Sequence, residues 1–225
     1  MKNNYFYIIL TAIAVIATAC TVSGTLNDDV NLAPVMNDEI HMTLTTTKSG
    51  EVTIEVAGSG YIVINWGNGT TTGPHNISGV SSFFAHSYSG TNTHTITITG
   101  DNIVRVGCSD NQITGIDVSK INTLTHLFCS NNDMTGTLDL SNNNILETVL
   151  CYSNKLTGLK VNSDVLAIVN CSYNNLNAEN LSELLLSLQR NDSVEEKIVI
   201  IHDNPGADAS QNKDQARNRG WEVVD

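Results

Sequence analysis

The chain has 225 residues, 23 acidic against 11 basic side chains, and a formal charge of -12. A surface this acidic repels nucleic acid and anionic headgroups, and no basic stripe overrides it, so a nucleic-acid partner is excluded. The length leaves room for one large or two small domains, and a shift in composition near residue 101 predicts two.

Met1 and Lys2 precede an almost uncharged run from Tyr5 to Ala19 that closes on Ala17-Thr18-Ala19-Cys20. One lysine, a short apolar segment and small residues before a cysteine predict a secretory signal over residues 1–19. The run is shorter than the roughly 20 residues a transmembrane helix needs. The cysteine at the cleavage point resembles a bacterial lipobox, although Ala17 stands where leucine is commonest. That resemblance implies diacylation of Cys20 and attachment to a membrane by the lipid alone. Ordinary cleavage after Ala19, with Cys20 a free thiol, is the other reading. Residues 20–39 are polar and carry no sustained hydrophobic period, as a flexible tether does.

Between residues 40 and 101 short segments alternate with period two: Met42 and Leu44; Val52, Ile54 and Val56; Ile62, Ile64 and Trp66; Ile96 and Ile98. Turn signals at Ser49-Gly50, Gly58-Ser59-Gly60 and Gly67-Asn68-Gly69 separate them, which predicts a small antiparallel sandwich. Trp66-Gly67-Asn68-Gly69 followed by His86-Ser87-Tyr88 is similar to the polycystic-kidney-disease (PKD) type of immunoglobulin-like domain, with Asn68 in the place of that family's aspartate. Trp66 reads as a core residue before a sugar-stacking one, and His86 and Tyr88 read as sheet residues before ligands. His41, His75 and His94 have no spacing that suggests a metal.

From residue 102 to 176 one pattern recurs. Cys108, Cys129, Cys151 and Cys171 lie twenty to twenty-two residues apart, each followed three residues on by Asn111, Asn132, Asn154 or Asn174. With Leu124-x-x-Leu127-x-Cys129 and its copies this is L-x-x-L-x-C-x-x-N-x-L, the leucine-rich-repeat pattern with cysteine in a leucine position. The resemblance implies a short solenoid with a parallel sheet, and the whole fold class is mainly β with a few helices. In that register the first, fourth and sixth residues of each copy point inward, so Leu127 stacks between Val106 and Val149 and the cysteines form a buried column. Equivalent side chains about 4.8 Å apart do not favour the disulfide dihedral, no C-x-x-C knuckle offers a zinc site, and no histidine recurs as a base. The thiols therefore read as small apolar packing groups, and the asparagines as amides that satisfy backbone groups where the chain turns.

Over residues 177–225 the period changes. Asn177 can cap a helix with Leu181, Leu184, Leu185 and Leu188 on one face; Ile198 to Ile201 supply a strand, and a second, polar helix ends near Gly220. This segment is expected to cap the stack.

The same register places Arg105, His126, Thr148 and Ile168 outward in one column and Gly107, Phe128, Leu150 and Asn170 in the next, with Tyr152 and Tyr173 just beyond. Arg105, His126, Phe128, Leu150, Tyr152, Ile168 and Tyr173 are the candidate binding residues on what would be the concave face. Mutual shielding of Phe128 and Leu150 across adjacent strands is the equally weighted alternative. No catalytic, phosphate-binding or cofactor motif occurs. The overall order of modules resembles cell-envelope lipoproteins of gut-type Gram-negative bacteria, which implies an outer-membrane, surface or periplasmic address and non-enzymatic binding of a protein partner in adhesion or host contact. Capture of a glycan by the sandwich, with Trp66 or Tyr88 exposed, and a passive spacer are the alternatives.

Overall fold

In the computed structural model residues 39–208 and 211–225 are described, so the predicted signal, Cys20 and nearly all of the tether lie outside the described residues. The chain is mainly β, with two helices among the described residues.

Strands β1 (Ile40–Thr46), β2 (Gly50–Asn65), β3 (Thr71–Ser78), β4 (Ser82–Tyr88) and β5 (His94–Gly100) are antiparallel neighbours. Their inward residues are the predicted ones: Met42, Leu44, Val52, Ile54, Val56, Ile62, Ile64, Trp66, Ile96 and Ile98 are all buried. Period-two alternation produces this because successive side chains of a strand leave on opposite faces.

One predicted turn is corrected. Gly58-Ser59-Gly60 lies inside the sixteen-residue strand β2 as a bend, not between two strands. The register shifts between Ala57 and Gly58, and a Cβ on Gly58 would sit 2.2 Å from the carbonyl oxygen of Asn102. Glycine is there to let another backbone pass, a role that looks like a turn signal in sequence. The bend divides β2 between two sets of partners. Residues Gly50–Val56 pair with β4, and Glu55–Gly58 with β6 (Ile103–Gly107), whereas the second half pairs with β3 and β5.

From β6 onward the strands of one ribbon are parallel and in sequence order: β8 (His126–Phe128), β10 (Thr148–Leu150), β12 (Ile168–Asn170), β13 (Lys197–Ile200) and β14 (Trp221–Val224). Val106 lies beside Leu127, Leu127 beside Val149 and Val149 beside Val169, which is the predicted register. On the far side β7 (Ile113–Asp117) pairs antiparallel with β1, and β9 (Thr135–Leu140) pairs parallel with β11 (Lys155–Val161). The composition change near residue 101 falls between β5 and β6, and hydrogen-bonded sheet runs through it by way of β2.

The asparagines hold the ribbon's turns together. Asn132 Oδ1 accepts from the backbone N–H groups of Asn111 and Ile113, while its Nδ2 donates to the carbonyls of Cys108 and Cys129 at 3.0 and 3.1 Å. Asn154 and Asn174 repeat this one strand further on. Asn111, the first of the series, turns instead to β2, accepting from Thr53 N–H and donating to the Thr53 carbonyl. The residue before each asparagine adopts the left-handed conformation: Asp110, Asn131, Ser153 and Tyr173 have φ between 53° and 63°.

Cys108, Cys129, Cys151 and Cys171 are free and fully buried. Burial pushes the thiols of Cys108 and Cys171 up to about 12, and those of Cys129 and Cys151 well above their ordinary value. They pack as apolar groups.

At the C-terminal end Asn177 caps helix α1 (Ala178–Ser187), its side chain accepting from Asn180 N–H at 2.8 Å. Leu181, Leu184 and Leu185 are buried on the helix, and Leu188 is buried at its C-cap. The short helix α2 (Lys213–Asn218) then leads into β14. A fifth asparagine unit was not read from the sequence: Asn204 donates to the carbonyls of Cys171 and Ile201 and accepts from Leu176 N–H. Ile201 holds the cysteine position and α1 is inserted before it, so spacing alone hides it. Its remaining signal is the Ile201-x-x-Asn204 pair.

Candidate functional site

A strand that buries Val106, Leu127, Val149 or Val169 must turn the residues on either side of it to the opposite face. That outward face carries Arg105 and Gly107, His126 and Phe128, Thr148 and Leu150, Ile168 and Asn170, in four adjacent strands. β13 continues it with Ile198 and Ile200, and β2 begins it with Glu55, opposite Gly107.

Three of the residues expected to be displayed are closed off: Gly107, Thr148 and Asn170 are buried. A Cβ at Gly107 would meet the Glu55 carboxylate at 2.8 Å, so Glu55 fills the place a side chain would take. Asn170 turns its Oδ1 to the backbone N–H and hydroxyl of Ser172. Phe128, Leu150 and Ile168 are half-buried and form a short apolar run.

Arg105, His126 and Phe128 come together at one end of this run. The Arg105 guanidinium lies 3.7 Å from Glu55 Oε1 and 5.5 Å from the centre of the Phe128 ring. Glu55 also accepts a hydrogen bond from Ser81 Oγ at 2.5 Å. His126 meets Phe128 edge-on, with ring centres 6.0 Å apart, and its Nδ1 is 2.8 Å from Thr125 Oγ1. Burial and then the charge of Arg105 hold the imidazole's pKa below its ordinary value, with Glu55 opposing, so His126 is a neutral aromatic wall at neutral pH.

Tyr152 and Tyr173, grouped in the sequence, occupy different positions. Tyr152 directly follows its cysteine and is half-buried, whereas Tyr173 is two residues past Cys171, in the left-handed conformation (φ 54°) and 54% exposed. The Tyr173 ring stands perpendicular to His202 with centres 5.3 Å apart. Hydrogen bonding to the nearby Asp203 and then that carboxylate's charge raise the phenol's pKa.

Sequence reasoning missed Phe83. It is 69% exposed on β4, opposite Glu55 on β2, and so lies on the same outward face. The alternation of Phe83 with buried Phe84 was its available signal; only His86 to Tyr88 had been read as strand.

The aromatics on which glycan capture was to rest are not available. Trp66 and Tyr88 are buried; the indole N–H donates to Thr72 Oγ1 at 2.8 Å, and the Tyr88 hydroxyl donates to the Trp66 carbonyl at 2.6 Å. His86 stacks on Trp66 with ring centres 5.0 Å apart. Asn68 fits its turn by accepting from Thr70 while Gly67 and Gly69 on either side take positive φ. Among the described residues no group of three or more His, Cys, Asp or Glu side chains is placed to hold a metal ion.

The fold and face define a mainly β protein built on a large mixed sheet with an apolar run on its outward side. No protein-family model, curated protein or solved structure matches the chain.

Proposed function

We propose that this is a lipid-anchored cell-envelope protein that binds a protein partner, without catalysis, through the outward face of a leucine-rich solenoid preceded by a PKD-like sandwich. The single observation that carries the reading is the half-buried apolar run of Phe128, Leu150 and Ile168, flanked by Arg105 and His126, on the outward side of the parallel strands. Partly exposed apolar and aromatic groups on a sheet, with an arginine beside them, are the composition of a contact hot spot. The sandwich contributes Phe83 to the same face in this reading, and Cys20 supplies the anchor.

The test places a photo-crosslinking amino acid at Phe128 or Leu150 in cells that make the full chain, with Thr157 on the far side as control. A discrete adduct that forms at the first two positions, is lost from the Phe128 position on Leu150→Asp, and is absent at Thr157 supports the reading. Equal labelling at all three positions, or none, would favour the passive spacer. Protease accessibility on intact cells, run in parallel, assigns the surface or the periplasmic side.

A further inference from the structure

A strand at the edge of a sheet presents a row of unpaired backbone groups, and most edges of this fold are blunted by charge, proline or an irregular register. β3 carries Gly73-Pro74 and a register shift against β2. β7 carries Asp117, β9 Asp139, β11 Lys155 and Lys160, and the four-residue β14 Glu222. β4 has none of these devices. Ser82–Tyr88 contains no acidic residue, lysine, arginine or proline, and its seven pairs with β2 run without a shift. Among the described residues β4 pairs with β2 alone.

The groups on its open edge follow from the opposite side of β2. Thr53 N–H donates to Asn111 Oδ1 and the Thr53 carbonyl accepts from Asn111 Nδ2, so both backbone groups of Thr53 point toward the repeats and away from β4. Backbone groups alternate in direction along a strand, so Val52, Ile54 and Val56 are the residues that bond β4. Their partners are His86, Phe84 and Ser82. Phe83, Ala85 and Ser87 therefore turn N–H and C=O to the open edge, where no group of the described residues bonds them. All three residues are exposed, Phe83 at 69%.

This edge is complementary to itself. A second β4, antiparallel about a twofold axis at Ala85, sets Ala85 against Ala85 and Phe83 against Ser87, and pairs every outward N–H and C=O of the three residues. A slip of one residue would pair none of them. Small side chains meet at the axis, and each Phe83 ring lies over the small Ser87 of the other copy. Charge favours the same occupant. The chain carries -12, yet β4 itself has no carboxylate, and Glu55 behind it is held by Arg105 at 3.7 Å. Glu51, one strand behind Ser87, falls at opposite ends of the pair in the two copies.

We propose that β4 is a self-association edge, at which two copies of this chain join antiparallel about Ala85 into one continuous isologous sheet. The pairing uses backbone at the edge, leaves the outward face open and does not depend on the protein-binding reading. One pair of strands is a small interface beside those of stable complexes, so the test is made in cells that produce the full chain.

Ala85→Cys is treated with a short bis-maleimide, quenched and resolved on a denaturing gel. The two Ala85 positions would have Cα atoms about 5.5 Å apart. Ser87→Cys is the register control, because the two Ser87 residues lie roughly 14 Å apart along the paired strands. A band of twice the chain mass is expected with Ala85→Cys, at least tenfold stronger than with Ser87→Cys or with the parent, whose own cysteines set the baseline. Adding Phe83→Pro removes an N–H that points to the open edge, so the bonds between β2 and β4 survive, while the Ala85→Cys band should fall at least fivefold. No dimer band, equal bands from Ala85→Cys and Ser87→Cys, or a band unmoved by Phe83→Pro overturns the proposal. An adduct of another mass in place of the dimer also overturns it and assigns the edge to a strand of a different protein.

Discussion

Replacing Asn154 by alanine tests the asparagine column where it is most enclosed. Its Oδ1 accepts from Met134 N–H at 3.1 Å, and its Nδ2 donates to the carbonyls of Cys129 and Cys151 at 3.0 and 3.1 Å. These bonds tie the turn after β8 to the turn after β10, and Asn154 is itself buried at 8% exposure. Alanine removes one donor group and one acceptor while leaving three backbone partners in place. Each buried backbone group left unpaired costs about 1–3 kcal/mol, and a carbonyl that relaxes toward water recovers part of that. The expected loss is therefore about 3–5 kcal/mol, a large share of the roughly 5–15 kcal/mol that stabilises an ordinary domain. Asn154→Asp should do no better, because it keeps the acceptor for Met134 but turns a carboxylate oxygen toward two carbonyls.

The assay is urea unfolding of the parent and variants, followed by circular dichroism, with midpoint and slope fitted separately. A lower midpoint at unchanged slope reports lost native-state stability. Asn162→Ala is the control, since Asn162 is exposed and bonds only at 3.3 and 3.4 Å, and it should fall within about 0.5 kcal/mol of the parent. A loss below about 1 kcal/mol for Asn154→Ala would refute the view that the amides hold successive turns together.

Leu127→Ala, in a fully buried column between Val106 and Val149, should cost about 2–5 kcal/mol in the same urea melts, and a loss under about 0.5 kcal/mol would contradict the register. Gly58→Ala forces a Cβ to within 2.2 Å of the Asn102 carbonyl, so the β2–β6 junction must move; a lowered thermal midpoint is expected, and an unchanged one would mean the bend is not close-packed. The four buried thiols should resist iodoacetamide at pH 8 in the folded chain and react once urea unfolds it; labelling of native protein would contradict their burial. Stability should also fall with pH in a defined window. The folded Cys108 thiol titrates at about 12 against an ordinary 9.0, so its contribution is complete below pH 9 and is lost as pH rises toward 12, because only the unfolded state ionises there. Cys108→Ala should flatten that part of the pH–stability curve, and an equal slope in parent and variant would sink the assignment.

The parallel ribbon was legible because its signal is redundant. Four copies of one pattern fix the inward residues together, and an error in one would have put Leu127, Val149 and Val169 out of line. The buried residues of the antiparallel strands were legible for the same reason at period two. What sequence could not show is contact between elements distant along the chain. Gly58 reads as punctuation until the Asn102 carbonyl is placed against it. Gly107 reads as an empty outward position until Glu55 reaches over it from β2. Tyr152 and Tyr173 read as one pair because each follows a cysteine, and the difference of one residue matters only once the left-handed turn is known. Asn204 was hidden by the inserted helix, and Phe83 by a strand whose first half had no strong pattern.

The antiparallel and parallel parts of the sheet meet at β2, and that junction explains where the candidate face begins. A parallel ribbon needs its first strand covered, since an open edge exposes a row of unpaired backbone groups. β2 covers it by pairing Glu55–Gly58 with β6, and Asn111 extends the cover by bonding Thr53 as the later asparagines bond the turn before them. Covering the edge this way keeps the sheet continuous, so β4 and β2 add their outward residues to those of the repeats without a change of element. The Glu55–Arg105 ion pair then spans the seam, with Phe128 against the guanidinium on one side and Phe83 opposite Glu55 on the other. A rigid seam of this kind holds Phe83 and Phe128 at fixed separation, which a flexible linker between two domains could not do. The partner's footprint proposed for the repeats should accordingly reach β4, and Phe83→Ala should weaken the Leu150-dependent crosslink even though Phe83 belongs to the other half of the fold. An adduct of unchanged yield in Phe83→Ala would confine the footprint to the parallel strands.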